Sequence, residues 1–218
     1  MKTIIFDMDG ILIDSEPLWK IAEIEAFAKV GLNTTERDFE ESVGLRIDEV
    51  VKLWHAKVKW TSKTVKEVAD DIVNILIREI GTQGKELPGV TNLLKDLKTK
   101  GYKIGLATSS YKRIIDVVLH KLNIGEYFDI CHSAEHEIHG KPHPSVFITT
   151  AEKLGVPTTD CLVFEDSLNG VIAAKAARMK VIAVPEYSNT YNSKLVVADK
   201  IIDSLANFDV ESIDEYWI

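Results

Sequence analysis

The sequence predicts an α/β protein: a doubly wound parallel sheet with a helical-bundle cap inserted near its start. Three observations predict it. Short apolar runs alternate with amphipathic stretches after Leu87-Pro88-Gly89, the pattern of successive βαβ units. Between the first apolar run and the second lies a long stretch of purely helical periodicity. Several of the runs stop at carboxylates or hydroxyls, and a doubly wound sheet binds ligands beyond the carboxyl ends of its strands.

Taken in order, Lys2 to Phe6 is a short apolar run that halts at a cluster of acids, which predicts a buried strand ending in a polar loop. From Ser15 to Gly81 the apolar residues recur at three and four positions, as in Ile47, Val50, Val51, Trp54 and Val58, and again in Val65, Val68, Ala69, Ile72 and Leu76. Thr35 with Asp38 reads as a capping box, and Gly31 and Gly81 read as helix stops. About four helices are expected there. Strands follow at Tyr102 to Ala107, Phe128 to Cys131, Cys161 to Phe164, Lys180 to Val184 and Lys200 to Ile202. Helical faces lie between them, with Val90, Leu93, Leu94 and Leu97, then Ile114, Val117, Val118 and Leu122. The expected division is a core of residues 1–15 and 85–218 around a cap of residues 16–84.

The bulk properties narrow the function. A chain of 218 residues, 45% apolar and 28% charged, is long enough for one good core and a second small unit. A formal charge of −8 argues against a general nucleic-acid or anionic-membrane surface, which needs Lys and Arg to displace counterions. The first residues lack the apolar stretch and small-residue cleavage site of a signal peptide, so a cytoplasmic location is expected; a monomer acting on a small molecule is expected as well. Cys131 and Cys161 fall in buried strand segments and are expected as free thiols.

The residues after the predicted strands carry the chemistry: Asp7-Met8-Asp9-Gly10, then Thr108-Ser109-Ser110, then Lys141 in a loop, then Glu165-Asp166. Carboxylate oxygens are the hard ligands that Mg2+ prefers, and Asp7 and Asp166 are placed to supply them. A carboxylate is also a nucleophile toward phosphorus, provided a metal, an ammonium group and amides neutralise the phosphoryl oxygens; Lys141 and Thr108 are placed to help. Asp9 projects to the same side of an extended segment as Asp7 and suits a general acid and base. Gly10 lets the backbone turn sharply beside the phosphate. Each piece alone has a plainer reading as a helix cap or a solvated charge. Their agreement in position favours a site.

These motifs resemble those of the haloacid dehalogenase-like phosphohydrolases, in the β-phosphoglucomutase-like group with a Rossmann-like core and a helical cap. The resemblance spans nearly the whole chain and rests on Phe6-Asp7-Met8-Asp9-Gly10, Gly105-Leu106-Ala107-Thr108-Ser109-Ser110, Lys141-Pro142 and Phe164-Glu165-Asp166-Ser167. It implies Asp7 as nucleophile, Asp9 as acid and base, and Thr108 and Lys141 as phosphate binders. It further implies Asp166, Asp7 and the Asp9 backbone carbonyl as Mg2+ ligands, with Glu165 a ligand or a partner behind them. Haloacid dehalogenases themselves lack the second aspartate, so Asp9 points to phosphoryl transfer. Mutases of the group place a histidine near the position of Trp19, whereas this chain has no histidine before His55. Leu12 to Trp19 and Gly44-Leu45-Arg46 resemble instead the sugar-phosphate phosphatases, especially those for 2-deoxyglucose 6-phosphate and hexitol phosphates. A phosphomutase is the nearest alternative; a phosphate-accepting signalling module, or a fold kept only for interaction, is more distant.

In the cap, hinges are expected near Asp14 to Pro17 and Gly81 to Pro88. Arg46 and Glu16 are the candidate substrate contacts there, the other reading of Arg46 being a surface charge. Ser109 and Ser110 of the second motif, and Tyr111 and Lys112 after it, are further substrate candidates. Trp19 and Trp54 have helical apolar neighbours and read as cap core rather than sugar platforms, the other reading being an aromatic wall at the cleft. His132, His136, His139 and His143 cluster with Glu135 and Glu137 in a spacing that fits no zinc motif, and a solvated loop is expected.

Overall fold

The computed structural model describes residues 2–35, 38–39, 44–185 and 193–217. Its centre is a six-stranded parallel sheet in the order β3-β2-β1-β4-β5-β6. The strands are β1 (Thr3–Phe6), β2 (Lys103–Thr108), β3 (Ile130–Ser133), β4 (Cys161–Glu165), β5 (Lys180–Ala183) and β6 (Lys200–Ile201). β1 and β4 are buried along their whole length, as strands covered on both faces must be, and so read as unbroken apolar runs. Alternate residues enter opposite layers. Ile4, Phe6, Leu106 and Phe164 join one core cluster, while Ile5, Ala107 and Val163 join the other. Phe6 and Phe164 are register partners, and their rings stack at 5.0 Å.

Helices α1 (Glu16–Ala28), α2 (Ile47–Val58) and α3 (Val65–Gln83) follow β1 directly. They are the α-helices of the predicted cap among the described residues, three where about four were expected; residues 36–37 and 40–43 of that segment lie outside the description. Pro17 stands in the first turn of α1, where a missing N–H costs nothing. Thr64 and Glu67 form a reciprocal capping box at α3. Thr35 also bonds Asp38, through its N–H at 2.7 Å and its hydroxyl at 2.8 Å. Phe27, Phe39, Trp54 and Trp60 form an aromatic cluster with centroids 5.7 to 5.9 Å apart.

The chain leaves and re-enters the sheet layer through two adjacent segments. Asp14 N donates to Lys85 O at 3.0 Å and Leu87 N to Leu12 O at 3.2 Å, so the two expected hinges pair side by side. Helices α4 (Val90–Thr99), α5 (Lys112–Leu122), α6 (Ser145–Leu154) and α7 (Leu168–Ala176) complete the layers around the sheet. β3 begins two residues later than the predicted Phe128, because Phe128 and Asp129 close the preceding turn. Among the described residues no helix is long and apolar enough to cross a membrane.

Candidate active site

The polar residues that end β1, β2 and β4 converge with a loop lysine at one edge of the sheet. Asp7 follows β1 and is 6% exposed, Thr108 ends β2 and is buried, and Glu165 ends β4 fully buried. Lys141, equally buried, reaches between them. Its ammonium lies 2.9 Å from Asp7 Oδ1, donates to Glu165 Oε1 at 2.5 Å and sits 4.9 Å above the Phe147 ring. Burial alone would push this ammonium down, but facing Asp7 and Glu165 carry it above its ordinary value. Burial raises Asp7 to about 7, against the pull of Lys141 and with a further push from Glu165 and Asp9. Asp166 is likewise raised, by burial first and then by Glu165 and Asp7.

Two glycines make this packing sterically feasible. A Cβ on Gly10, whose φ is +70°, would stand 2.2 Å from Asp166 Oδ2. One on Gly170 would stand 1.6 Å from Glu165 Oε1, so α7 approaches the buried carboxylate only through a residue without a side chain.

Carboxylate oxygens of Asp7, Glu165 and Asp166 lie within 4.8 Å of one another. Their donor chemistry fits a hard divalent cation: among the described residues one ammonium, that of Lys141, faces the buried carboxylates, and like charges this close need a further cation. Both oxygens of Glu165 are already engaged, Oε1 by Lys141 and Oε2 by the Ser167 N–H at 2.8 Å and hydroxyl at 3.0 Å. Asp7 and Asp166 are less engaged and face the cavity.

Asp9 is held by three donors. Ser15 Oγ and Trp19 Nε1 donate to its Oδ1 at 2.6 and 2.9 Å, and Ser110 Oγ donates to Oδ2 at 2.6 Å. Trp19 therefore lines the site as well as packing against the cap core, so both readings of it apply. Its N–H is a donor only, a role that helical periodicity does not reveal.

A cavity of about 550 Å³ lies between sheet edge and cap, lined by Asp7, Asp9, Thr108, Ser109, Ser110 and Asp166 at one side. Glu16, Trp19, Glu23, Phe39, Ile47 and Val50 line its cap side. Glu16 is where the sequence placed it, whereas Glu23 went unnoticed. Two other candidates lie elsewhere. Arg46 does not line the cavity; its Nη1 donates to Ala134 O at 3.0 Å and Glu137 O at 2.7 Å, tying the cap to the core. Lys112 is exposed and paired with Asp116. Ser109 makes a second tie, donating to Gly44 O at 2.9 Å.

The histidine stretch is also not uniformly solvated. His132 is 3% exposed, pairs with Glu137 at 2.7 Å and meets Lys153 Nζ at 2.9 Å; burial lowers its pKa. Among the described residues the group of potential metal ligands is Asp7, Glu165 and Asp166, with no histidine. Cys131 and Cys161 are free, with burial pushing their thiols up to about 11 and about 12.

A parallel α/β core, a helical insertion after its first strand and an aspartate-lysine-aspartate centre beneath it define a capped hydrolase of the phosphoryl-transfer type. Residues 4–184 match the haloacid dehalogenase-like hydrolase family, and the chain belongs to that family as a phosphatase-type hydrolase. It is 39% identical over 210 residues to hexitol phosphatase B of Escherichia coli, covering 96% of this chain and 95% of the relative. It is 32% identical over 186 residues, 84% of each chain, to a phosphorylated carbohydrates phosphatase of Thermotoga maritima. The crystal structure of a β-phosphoglucomutase from Clostridium difficile superposes with a TM-score of 0.85 at 28% identity, covering 100% of this chain and 97% of that one.

Proposed function

We propose that the protein is a magnesium-dependent phosphatase for small phosphorylated sugars or hexitols, 2-deoxyglucose 6-phosphate among them, acting through an aspartyl-phosphate on Asp7. In the first step an Asp7 oxygen bonds to phosphorus, the ester P–O bond breaks, and Asp9 gives its proton to the departing oxygen. In the second, Asp9 takes a proton from water as that water attacks phosphorus, releasing inorganic phosphate and restoring the Asp7 carboxylate. Lys141 and Thr108 hold the phosphoryl oxygens and offset their charge. Asp7, Asp166 and the Asp9 carbonyl would hold Mg2+, with Glu165 orienting Lys141 behind them; when bound, the ion supplies further charge neutralisation.

The observation that carries hydrolysis over phosphoryl exchange between sugars is the cavity's charge. Among its described lining residues none is Lys or Arg, and its cap side presents the carboxylate of Glu16. A sugar bisphosphate needs a second cationic seat for its far phosphate. A monophosphate with a neutral hydroxylated body does not. Trp19 supports the same reading, since an indole N–H on Asp9 cannot relay a proton as an imidazole would.

The test is phosphate release from sugar, hexitol and nucleotide monophosphates, with and without Mg2+, beside Asp7→Asn. Magnesium-dependent release led by hexose or hexitol phosphates and absent in the variant is expected. Turnover that requires a sugar bisphosphate, or nucleotides outrunning every sugar, would overturn it.

A further inference from the structure

Glu23 lies in the second turn of α1 among Leu18, Ala22, Ala26 and Phe27, all buried. It is 6% exposed, and what remains accessible faces the substrate cavity. Among the described residues no group forms a hydrogen bond with its carboxyl, although Glu16 and Lys20 act on it electrostatically. A core carboxyl retained only for structure would have donors, because leaving such a group buried and unpaired costs about 1–3 kcal/mol.

Its place along the helix is equally specific. Trp19 and Glu23 are four residues apart on one face of α1, so Glu23 stands about one turn, roughly 6 Å of rise, beyond the indole that touches Asp9. Asp9 is the group that meets the ester oxygen of the substrate. A carbon chain extending from that oxygen into the cap therefore passes Trp19 and brings its hydroxyls to Glu23.

Resting on the sugar- or hexitol-phosphatase reading, we propose that Glu23 is a specificity-determining contact that hydrogen-bonds a hydroxyl on the far part of the substrate. Burial, then the proximity of Glu16, raise the carboxyl to about 8, against the pull of Lys20. Below that pH it offers one O–H donor and one carbonyl acceptor, matching a hydroxyl that both donates and accepts. It also adds no negative charge against an already anionic substrate. Polyhydroxylated monophosphates are favoured, and esters without hydroxyls leave Glu23 unpaired.

The experiment measures kcat/KM for a hexitol 6-phosphate and for phenyl phosphate, which has no hydroxyl, in wild type, Glu23→Leu and Glu23→Gln. Thermal melting accompanies each variant. The ratio of the two values is expected to fall about tenfold or more in Glu23→Leu. Glu23→Gln, whose amide still donates and accepts, returns it to within about threefold of wild type. An unchanged ratio in Glu23→Leu, whatever its absolute rates, would overturn the proposal while leaving the phosphatase reading intact. A wild type that hydrolyses phenyl phosphate but no sugar or hexitol phosphate would overturn the substrate reading and this inference together. If Glu23→Leu fails to fold, Glu23→Met, which fills a similar volume without a hydrogen-bonding carboxyl, takes its place: a fall of about tenfold in its ratio supports the contact, and an unchanged ratio overturns it.

Discussion

The Trp19 indole donates to Asp9 Oδ1 across 2.9 Å, joining the first cap helix to the carboxylate proposed as the general acid and base. Trp19→Phe keeps the ring and removes only the N–H. Its expected effect is a fall of about tenfold in kcat with little change in KM, since the role proposed for Asp9 lies in the chemical steps and not in holding the substrate. Steady-state phosphate release checks it. A variant that raised KM alone would assign Trp19 to binding.

Lys141 is the ammonium facing the buried Asp7 and Glu165 carboxylates. Lys141→Met removes that charge while filling its space, leaving the carboxylates to repel one another. The expected loss is about 3 kcal/mol of stability by denaturant unfolding without added metal, and at least about 100-fold in kcat/KM.

Glu23 also makes stability depend on pH. Its folded pKa of about 8 exceeds the unfolded value of 4.5, so between those limits the native state holds more protons. Unfolding free energy must therefore decrease as pH rises through that window. Glu23→Gln removes this contribution and is expected to be the more stable protein at pH 8.5 by on the order of 4 kcal/mol, with the gap closing near pH 4.5. Urea unfolding at the two pH values reads it.

Arg46 ties the cap to the carbonyls of Ala134 and Glu137. Arg46→Ala is expected to loosen closure, raising KM by about fivefold to tenfold for every substrate alike and speeding proteolysis at the hinges. A loss confined to one class of sugar phosphate would instead make the guanidinium a substrate contact. Lysine at this position is not expected to rescue, because one ammonium cannot bond both carbonyls, as Nη1 does, and also pair with Asp48 and Glu49, as Nη2 does.

Much of this site was legible because its residues directly follow strand ends. An apolar run that stops at Asp7, or at Glu165 and Asp166, announces both the strand and the group it delivers. The cap was less legible. Arg46 carried a charge that suited phosphate, yet which way a guanidinium turns is settled by packing against the Ala134 to Glu137 turn, which the sequence does not display. Glu23 had a readable signal that went unused: a carboxylate in the buried stripe of an amphipathic helix, four residues from Trp19. His132 shows the same limit in reverse, a residue in a polar stretch that β3 carries inward to Glu137 and Lys153.

The central claim is that Asp7 forms a bond to phosphorus. Rapid acid quenching during turnover of a hexitol phosphate, followed by peptide mass spectrometry, tests it most directly. A single phosphoryl group on the peptide containing Asp7, absent from Asp7→Asn, is the result predicted. Steady phosphate release by Asp7→Asn, or a phosphoryl group trapped on a different residue, would contradict it.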